Sequence, residues 1–322
     1  MEDIIQPVKE DLKKFETFYR ECLSSTDSSL LNKVLKYIYD RQGKRIRPLC
    51  VLLSAAASGK ALNETTYACA SAIEMIHTAS IIHDDVVDRS LLRRGEKSVN
   101  AEWSSQIAVL AGDYLLAKSL MLITQYGVYD FMEVMARPIC EMSEGEVIQI
   151  EKSMELDITE DIYFKIIRKK TAVLIASSMK VGAKSTGAND ISQKMYDIGE
   201  NIGMAFQIKD DIFDYEKTNL LGKPTGNDVI ERKITLPLIY ALQQVENKER
   251  KAIIKCVKEA SINKKNVGVV RDFVLNHGGI EYAASVAQNY VNKAIEQINT
   301  LGESPAKKSL AELAHYVIKR EI

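Results

Sequence analysis

The sequence predicts an all-α protein, and three observations carry that prediction. Apolar residues recur at three- and four-residue spacing through most segments, the period of an amphipathic helix. Period-two alternation, which would mark half-buried strands, is nearly absent. Only six prolines interrupt 322 residues, so most of the chain is free to stay helical.

The elements follow in order. Leu30, Val34, Leu35 and Ile38 form an early apolar stripe with charges left for the opposite face. Breaks are expected at Gly43, at Gly59 and Lys60, at Arg94 and Gly95, and at Gly127. Further breaks are expected from Gly182 to Asn189, from Leu221 to Gly226, from Asn263 to Asn266, and at Gly278 and Gly279. They leave helices of roughly 15 to 25 residues. The last stripe is Leu310, Leu313, Ala314, Val317 and Ile318. No Ser/Pro/Gly-rich linker or low-complexity run separates these elements, so residues 1–322 are read as a single large helical domain.

Composition narrows the function. With 46% hydrophobic residues the chain can bury a large core. The formal charge of -1, from 43 basic and 44 acidic residues, offers no global field for nucleic acid or an anionic membrane surface. The five cysteines Cys22, Cys50, Cys69, Cys140 and Cys256 are scattered and form no CxxC pair. They read as reduced core thiols of a cytoplasmic protein. The amino terminus MEDIIQPVKEDLKKF is charged where a signal peptide would be apolar, and no uninterrupted apolar run reaches the roughly 18 residues of a spanning helix. No transmembrane segment is expected.

Two segments carry chemistry. Ala72–Asp88, AIEMIHTASIIHDDVVD, is apolar and helical until Asp84, Asp85 and Asp88. Ile202–Tyr215, IGMAFQIKDDIFDY, repeats the pattern with Asp210, Asp211 and Asp214. Spacings of three and four crowd each carboxylate trio into one helical turn, where like charges repel unless a cation lies between them. A single DDxxD is ordinarily a solvated helix face. Here Ile81, Ile82, Val86, Val87, Ile208, Ile212 and Phe213 flank the aspartates with apolar surface, which argues against that reading. Six hard oxygen donors without thiolate or a His pair favour Mg2+ bridging carboxylates to substrate phosphates.

A diphosphate also needs cations. Gly43-Lys44-Arg45-Ile46-Arg47-Pro48 sets three of them before a helix that Pro48 can occupy in its first turn. Arg93-Arg94-Gly95 follows the first motif closely, with guanidinium forks suited to phosphate oxygens. Lys169-Lys170-Thr171 and the stretch from Lys223 to Lys233 add more. Each alone could be a solvated surface.

Taken jointly and in order, GKRxRP, IHTAS-IIHDDVVD, RRG, GD, KT, FQIKDD, GKPxGxD and K-TLP resemble the trans-isoprenyl diphosphate synthases, within them the octaprenyl-type long-chain enzymes. The resemblance covers nearly the whole chain. It implies the isoprenoid synthase fold, a large helical bundle around a deep central apolar cavity. It implies a prenyltransferase that condenses isopentenyl diphosphate with an allylic diphosphate, farnesyl or geranylgeranyl, into a long-chain all-trans polyprenyl diphosphate. On this resemblance Lys44, Arg47, His77 and Arg94 hold isopentenyl diphosphate, and Arg93, Lys170, Thr171, Gln207, Lys223 and Lys233 serve the allylic diphosphate. The six aspartates hold its magnesium, three ions with the allylic diphosphate bound, and a homodimer is expected. The aspartates and Lys170 form the catalytic set, with the aspartates as ligands and no nucleophilic side chain. Arg45 receives no role. Gln42 and the pair Glu231-Arg232 depart from the family pattern without removing a charged ligand.

Product length is expected to be set one turn before Asp84. Ala79 and Ser80 lie about 6 to 7.5 Å deeper along the helix axis, and both are small enough to let a growing chain pass. Phe131, Met132 and Met135 are candidates for the floor. A shorter product, geranylgeranyl or farnesyl diphosphate, is the alternative within the same reaction. A terpene cyclase would replace the second DDxxD, and a non-catalytic subunit of a heteromeric synthase would have lost one or both motifs.

Overall fold

The computed structural model describes every residue except 25–26, 42, 128, 217–225 and 321–322. Among the described residues the only strands are Leu92–Arg93 and Glu96–Lys97, paired antiparallel with Leu92 opposite Lys97 and Arg93 opposite Glu96. All other regular structure is helical, as the apolar period predicts. The chain forms two compact units. One comprises residues 1–139, 174–196 and 301–310, the other 140–173, 197–300 and 311–322.

The first unit is built on the helix Glu64–Val87. Its amino end is a capping box, in which the Asn63 side chain accepts from the Thr66 N–H while the Thr66 side chain faces the Asn63 N–H. Ala68, Ala70, Ala72, Ile73, Met75, Ile76 and Ala79 are buried. Each full burial of an Ile or Met is worth about 1.5–3 kcal/mol. Helices Ile46–Ala56 and Ser105–Gln125 pack against it. Close approach needs small residues. A Cβ on Gly112 would lie 2.2 Å from His83 Nε2, and one on Gly182 would lie 2.0 Å from Ser54 Oγ. The break expected from Gly182 to Asn189 falls at 186–188, where Gly187 takes a positive φ of 74°, and Gly182 itself stays inside the helix Val173–Ser185.

Ser105–Gln125 is the one helix among the described residues long and apolar enough to cross a membrane by length and composition, with a mean hydropathy of 1.6. Asp113 and Lys118 interrupt it, so the sequence still holds no uninterrupted apolar run of that length, and one face of the helix is buried in the first unit. Ala108, Ala111, Gly112, Leu115 and Ser119 form its buried face, while Val109, Leu110 and Met121 are exposed.

The second unit has its core in Tyr163, Ile167, Ile208, Ile212, Leu236, Val257, Val270, Val274 and Ala283. The helix Asn189–Phe213 enters it from Asp197 onward. Between helices Glu160–Ile167 and Val173–Ser185 the backbone widens into a π turn over Arg168–Ala172. A Cβ on Gly203 would lie 2.5 Å from the Ala172 Cα, so glycine lets this turn seat against the second-motif helix. The π turn carries Lys170 and Thr171, and such turns recur where helices serve a site.

The thiols divide. Cys50 and Cys69 are buried, Cys22 and Cys256 are half-buried, and Cys140 is exposed, so Cys140 corrects the expectation of five core cysteines.

Candidate active site

The first aspartate motif closes its helix with a tight reversal. Arg89 takes a left-handed φ of 52°. The Ser90 N–H reaches the Asp85 carbonyl at 2.9 Å, and the Arg89 N–H reaches Val86 at 3.3 Å. This turn returns the chain toward the motif through the Leu92–Lys97 hairpin, whose two-residue loop is Arg94 and Gly95, both at positive φ. RRG is therefore a hairpin turn, and its geometry delivers both arginines. Arg93 Nη2 lies 2.8 Å from Asp85 Oδ1, with Nε at 3.1 Å. Burial still holds the Asp85 carboxyl above its ordinary value against the pull of Arg93. Asp84 is half-buried and Asp88 exposed.

Around this motif the first unit assembles the cations assigned to isopentenyl diphosphate. Arg47 Nη1 lies 2.8 Å from His77 Nε2. Burial first, then Arg47, Arg94, Arg93 and Arg45, push the His77 imidazole well below its ordinary value. It is neutral, with Nε2 accepting from Arg47. Arg94 lies against the backbone leading into the GKRxRP segment, where its Nη1 donates to the Arg41 carbonyl at 3.2 Å. A Cβ on Gly43 would sit 2.5 Å from that guanidinium. Lys44 is exposed beside it. Arg45, unassigned from sequence, turns inward instead. It is buried, paired with Glu74 at 2.5 Å and Glu16 at 3.2 Å, and lies over the Tyr19 ring. Its role is to fold the segment that presents Lys44 and Arg47.

The second motif sits in its own unit, and its three carboxylates have different surroundings. Asp210 is half-exposed and pairs with Arg320 at 2.5 Å. That guanidinium also donates to the Phe206 carbonyl and lies 3.9 Å over the Phe206 ring. Asp211 is buried, with Oδ2 accepting from Tyr163 at 2.6 Å and Oδ1 from Gln207 at 2.8 Å. Asp214 accepts three backbone N–H groups, from Gly226, Asn227 and Asp228, at 3.0, 3.0 and 3.1 Å. It thereby caps the short helix Asn227–Ile230 and draws Asp228 toward the motif. Burial, then the charges of Asp210 and Asp214, push Asp211 up to about 7. Asp228 is raised well above its usual value for the same reasons, with Asp214 and Asp211 as the charges.

Lys170, Thr171, Gln207, Asp211, Asp228 and Lys233 line one cavity of about 170 Å³ in this unit. Thr171 donates to Gln207 Oε1 at 2.6 Å. Lys170 reaches Gln149 at 2.9 Å and pairs with Glu146, and Lys233 pairs with Glu231 at 2.6 Å. Four residues grouped from sequence for the allylic diphosphate, Lys170, Thr171, Gln207 and Lys233, thus share one wall. Arg93 lies in the other unit, and Lys223 lies outside the described residues.

Each motif draws a cation in its own unit, where Asp85 pairs with Arg93 and Asp210 with Arg320, and burial disfavours charge on Asp211 and Asp228. Among the described residues no three His, Cys, Asp or Glu side chains converge on a single metal position. A carboxylate set of this kind fits magnesium, which takes most of its shell from water and phosphate.

Sequence reasoning missed three residues. Arg320 carries no local signal, because only the fold brings it to Asp210. Tyr163 lies in an ordinary amphipathic stripe, ITEDIYFKII, whose period marks burial and no more. Asp228 was legible in GKPTGND as a further carboxylate just after the second motif.

Comparison with known proteins agrees with this geometry. A family model described as polyprenyl synthetase matches residues 28–273. The chain is 35% identical over 99% of its length to an all-trans-nonaprenyl-diphosphate synthase (geranyl-diphosphate specific) of Rhodobacter capsulatus, covering 98% of that protein. It is 36% identical over 94% of both chains to a short chain isoprenyl diphosphate synthase of Methanothermobacter thermautotrophicus. A crystal structure of a decaprenyl diphosphate synthase from Rhodobacter capsulatus superposes with a TM-score of 0.93 at 35% identity, covering 99% of each chain. With its all-α fold, its two DDxxD helices and its cation clusters in the family's order, the chain belongs to the polyprenyl synthetase family.

Proposed function

We propose that this protein extends an allylic diphosphate, farnesyl or geranylgeranyl, with isopentenyl diphosphate to a long-chain all-trans polyprenyl diphosphate. The observation that carries this reading is the pairing of carboxylates with phosphate-type cations in each unit. Asp85 stands beside Arg93 with Arg47, His77 and Arg94 nearby, and Asp211 stands beside Gln207, Thr171 and Lys170. Magnesium, held by Asp84, Asp85, Asp88, Asp210, Asp211 and Asp214, would supply charge neutralisation for a departing diphosphate. Lys170, Thr171, Gln207 and Lys233 bind and orient that diphosphate, and their preformed positions need no reorganisation as its charge develops. Lys44, Arg47, neutral His77 and Arg94 hold isopentenyl diphosphate. No side-chain nucleophile is required. The test is incorporation of labelled isopentenyl diphosphate into acid-labile product by the purified chain alone, abolished by EDTA and restored by magnesium. Absence of incorporation contradicts the proposal.

Gly43 supports Arg94. In Gly43→Ala the new methyl group occupies the space of the Arg94 guanidinium, a flexible end that moves at little cost to stability. The expected result is a melting temperature near wild type and a KM for isopentenyl diphosphate raised about tenfold, the equivalent of one charge-assisted hydrogen bond. Steady-state kinetics on the variant checks this.

A homodimer and a cytoplasmic location complete the reading, and both units are read as one polyprenyl synthetase domain, since the family match runs through them without interruption. The exposed apolar stripe Val109, Leu110 and Met121 suits contact with a second copy. Leu110→Glu is expected to shift the protein from dimer to monomer in light scattering coupled to size exclusion. An unchanged dimer would place the contact elsewhere.

A further inference from the structure

We infer that Tyr163 is a positioning residue for the allylic diphosphate, acting through Asp211 and Gln207 to orient Thr171. The inference rests on the proposed function, and its physical basis is a directed chain of hydrogen bonds along one cavity wall.

Tyr163, in the helix Glu160–Ile167, is 2% exposed, and its hydroxyl donates to Asp211 Oδ2 at 2.6 Å. On the other side of the same carboxyl group, Asp211 Oδ1 takes the amide N–H of Gln207 at 2.8 Å, which turns the Gln207 carbonyl away, toward the Thr171 hydroxyl at 2.6 Å. Each link permits one orientation of the next. Gln207 and Asp211 are one turn apart on the same helix, Thr171 comes from the π turn, and Tyr163 is the only member that a phenylalanine would replace without loss of volume. A hydroxyl buried here has the carboxylate as its one partner. The hydroxyl therefore serves the chain, whereas the ring alone would serve the core.

Removing it leaves a buried carboxylate oxygen without its donor. Asp211 then rotates to find another and releases Gln207, and Thr171 loses its fixed rotamer. The test is calorimetric binding of farnesyl thiolodiphosphate, an allylic analogue that resists ionisation, to wild type and Tyr163→Phe with magnesium present. The expected result is an affinity loss of about tenfold in Tyr163→Phe, the size of one hydrogen bond to a charged group, with affinity for isopentenyl diphosphate unchanged. In steady state the KM for the allylic diphosphate rises and kcat stays within about twofold. Thr171→Val should lose a similar amount, and the double variant should lose no more than the larger single loss, because both cut one chain. Unchanged analogue affinity in Tyr163→Phe overturns the inference, as does a double variant whose losses multiply. A Tyr163→Phe protein unfolded at assay temperature also overturns it, marking the residue as core. Wild type without prenyl transfer would sink the proposed function instead, so the two failures are distinguishable.

Discussion

Asp210→Asn is expected to lower kcat by about 10²- to 10³-fold while leaving the fold intact. Asp210 is the least enclosed carboxylate of the second motif, and its charge is balanced in this structure by Arg320 from the carboxy-terminal segment. The amide removes a unit of negative charge, so both the arginine and any divalent cation lose their partner. Stability should fall little, because an ion pair with one member at the surface contributes about 1 kcal/mol or less. Asp214→Ala is the informative contrast. Asp214 anchors three N–H groups at the start of Asn227–Ile230, and loss of such a cap costs about 0.5–2 kcal/mol in addition to any effect on turnover. Thermal melts and steady-state rates on both variants separate a charge role from a scaffold role. Equal loss of stability in the two would contradict the distinction.

Ser80→Phe is expected to shorten the product, with chains ending near the farnesyl or geranylgeranyl length. Overall similarity does not set chain length: a nonaprenyl and a short-chain synthase stand at 35% and 36% identity to this chain. Length must therefore depend on a few positions. Ser80 lies one turn before Asp84, is half-buried, and donates its hydroxyl to the His77 carbonyl at 2.9 Å. A phenyl ring there has an open side to occupy. Ala79, also small, is fully buried, so Ala79→Phe carries an overpacking cost of about 1–3 kcal/mol and should be assayed with its melting temperature. Reversed-phase chromatography of dephosphorylated products reads the outcome, and unchanged length in Ser80→Phe would refute the role of this turn.

The residues explain why some of this was legible in sequence and some was not. Helical period survives in sequence where burial of one face is local and repeated, as at Val34 and Leu35 and again at Leu310, Leu313, Ala314 and Val317, all buried. The aspartate motifs were legible because a carboxylate trio amid apolar residues is costly and rare. The break expected from Gly182 to Asn189 was found at 186–188, but its first residue was not legible, because a glycine is the same letter whether it ends a helix or lets one pass against Val51 and Ser54. The Arg93-Arg94-Gly95 turn was placed correctly, yet its delivery of Arg93 onto Asp85 depends on the left-handed Arg89, a conformation no residue type announces. Arg320, 110 residues from Asp210, and Tyr163, 48 from Asp211, meet their partners only through tertiary packing, which leaves no period or spacing to read.

Product analysis of the wild-type chain separates long-chain from short-chain synthesis. Purified protein is incubated with farnesyl or geranylgeranyl diphosphate, excess labelled isopentenyl diphosphate and magnesium, and the dephosphorylated products are resolved by length. All-trans products longer than geranylgeranyl are expected from either primer, and none once magnesium is chelated. Products that stop at geranylgeranyl or shorter, or the same product distribution in EDTA, would contradict magnesium-dependent long-chain synthesis.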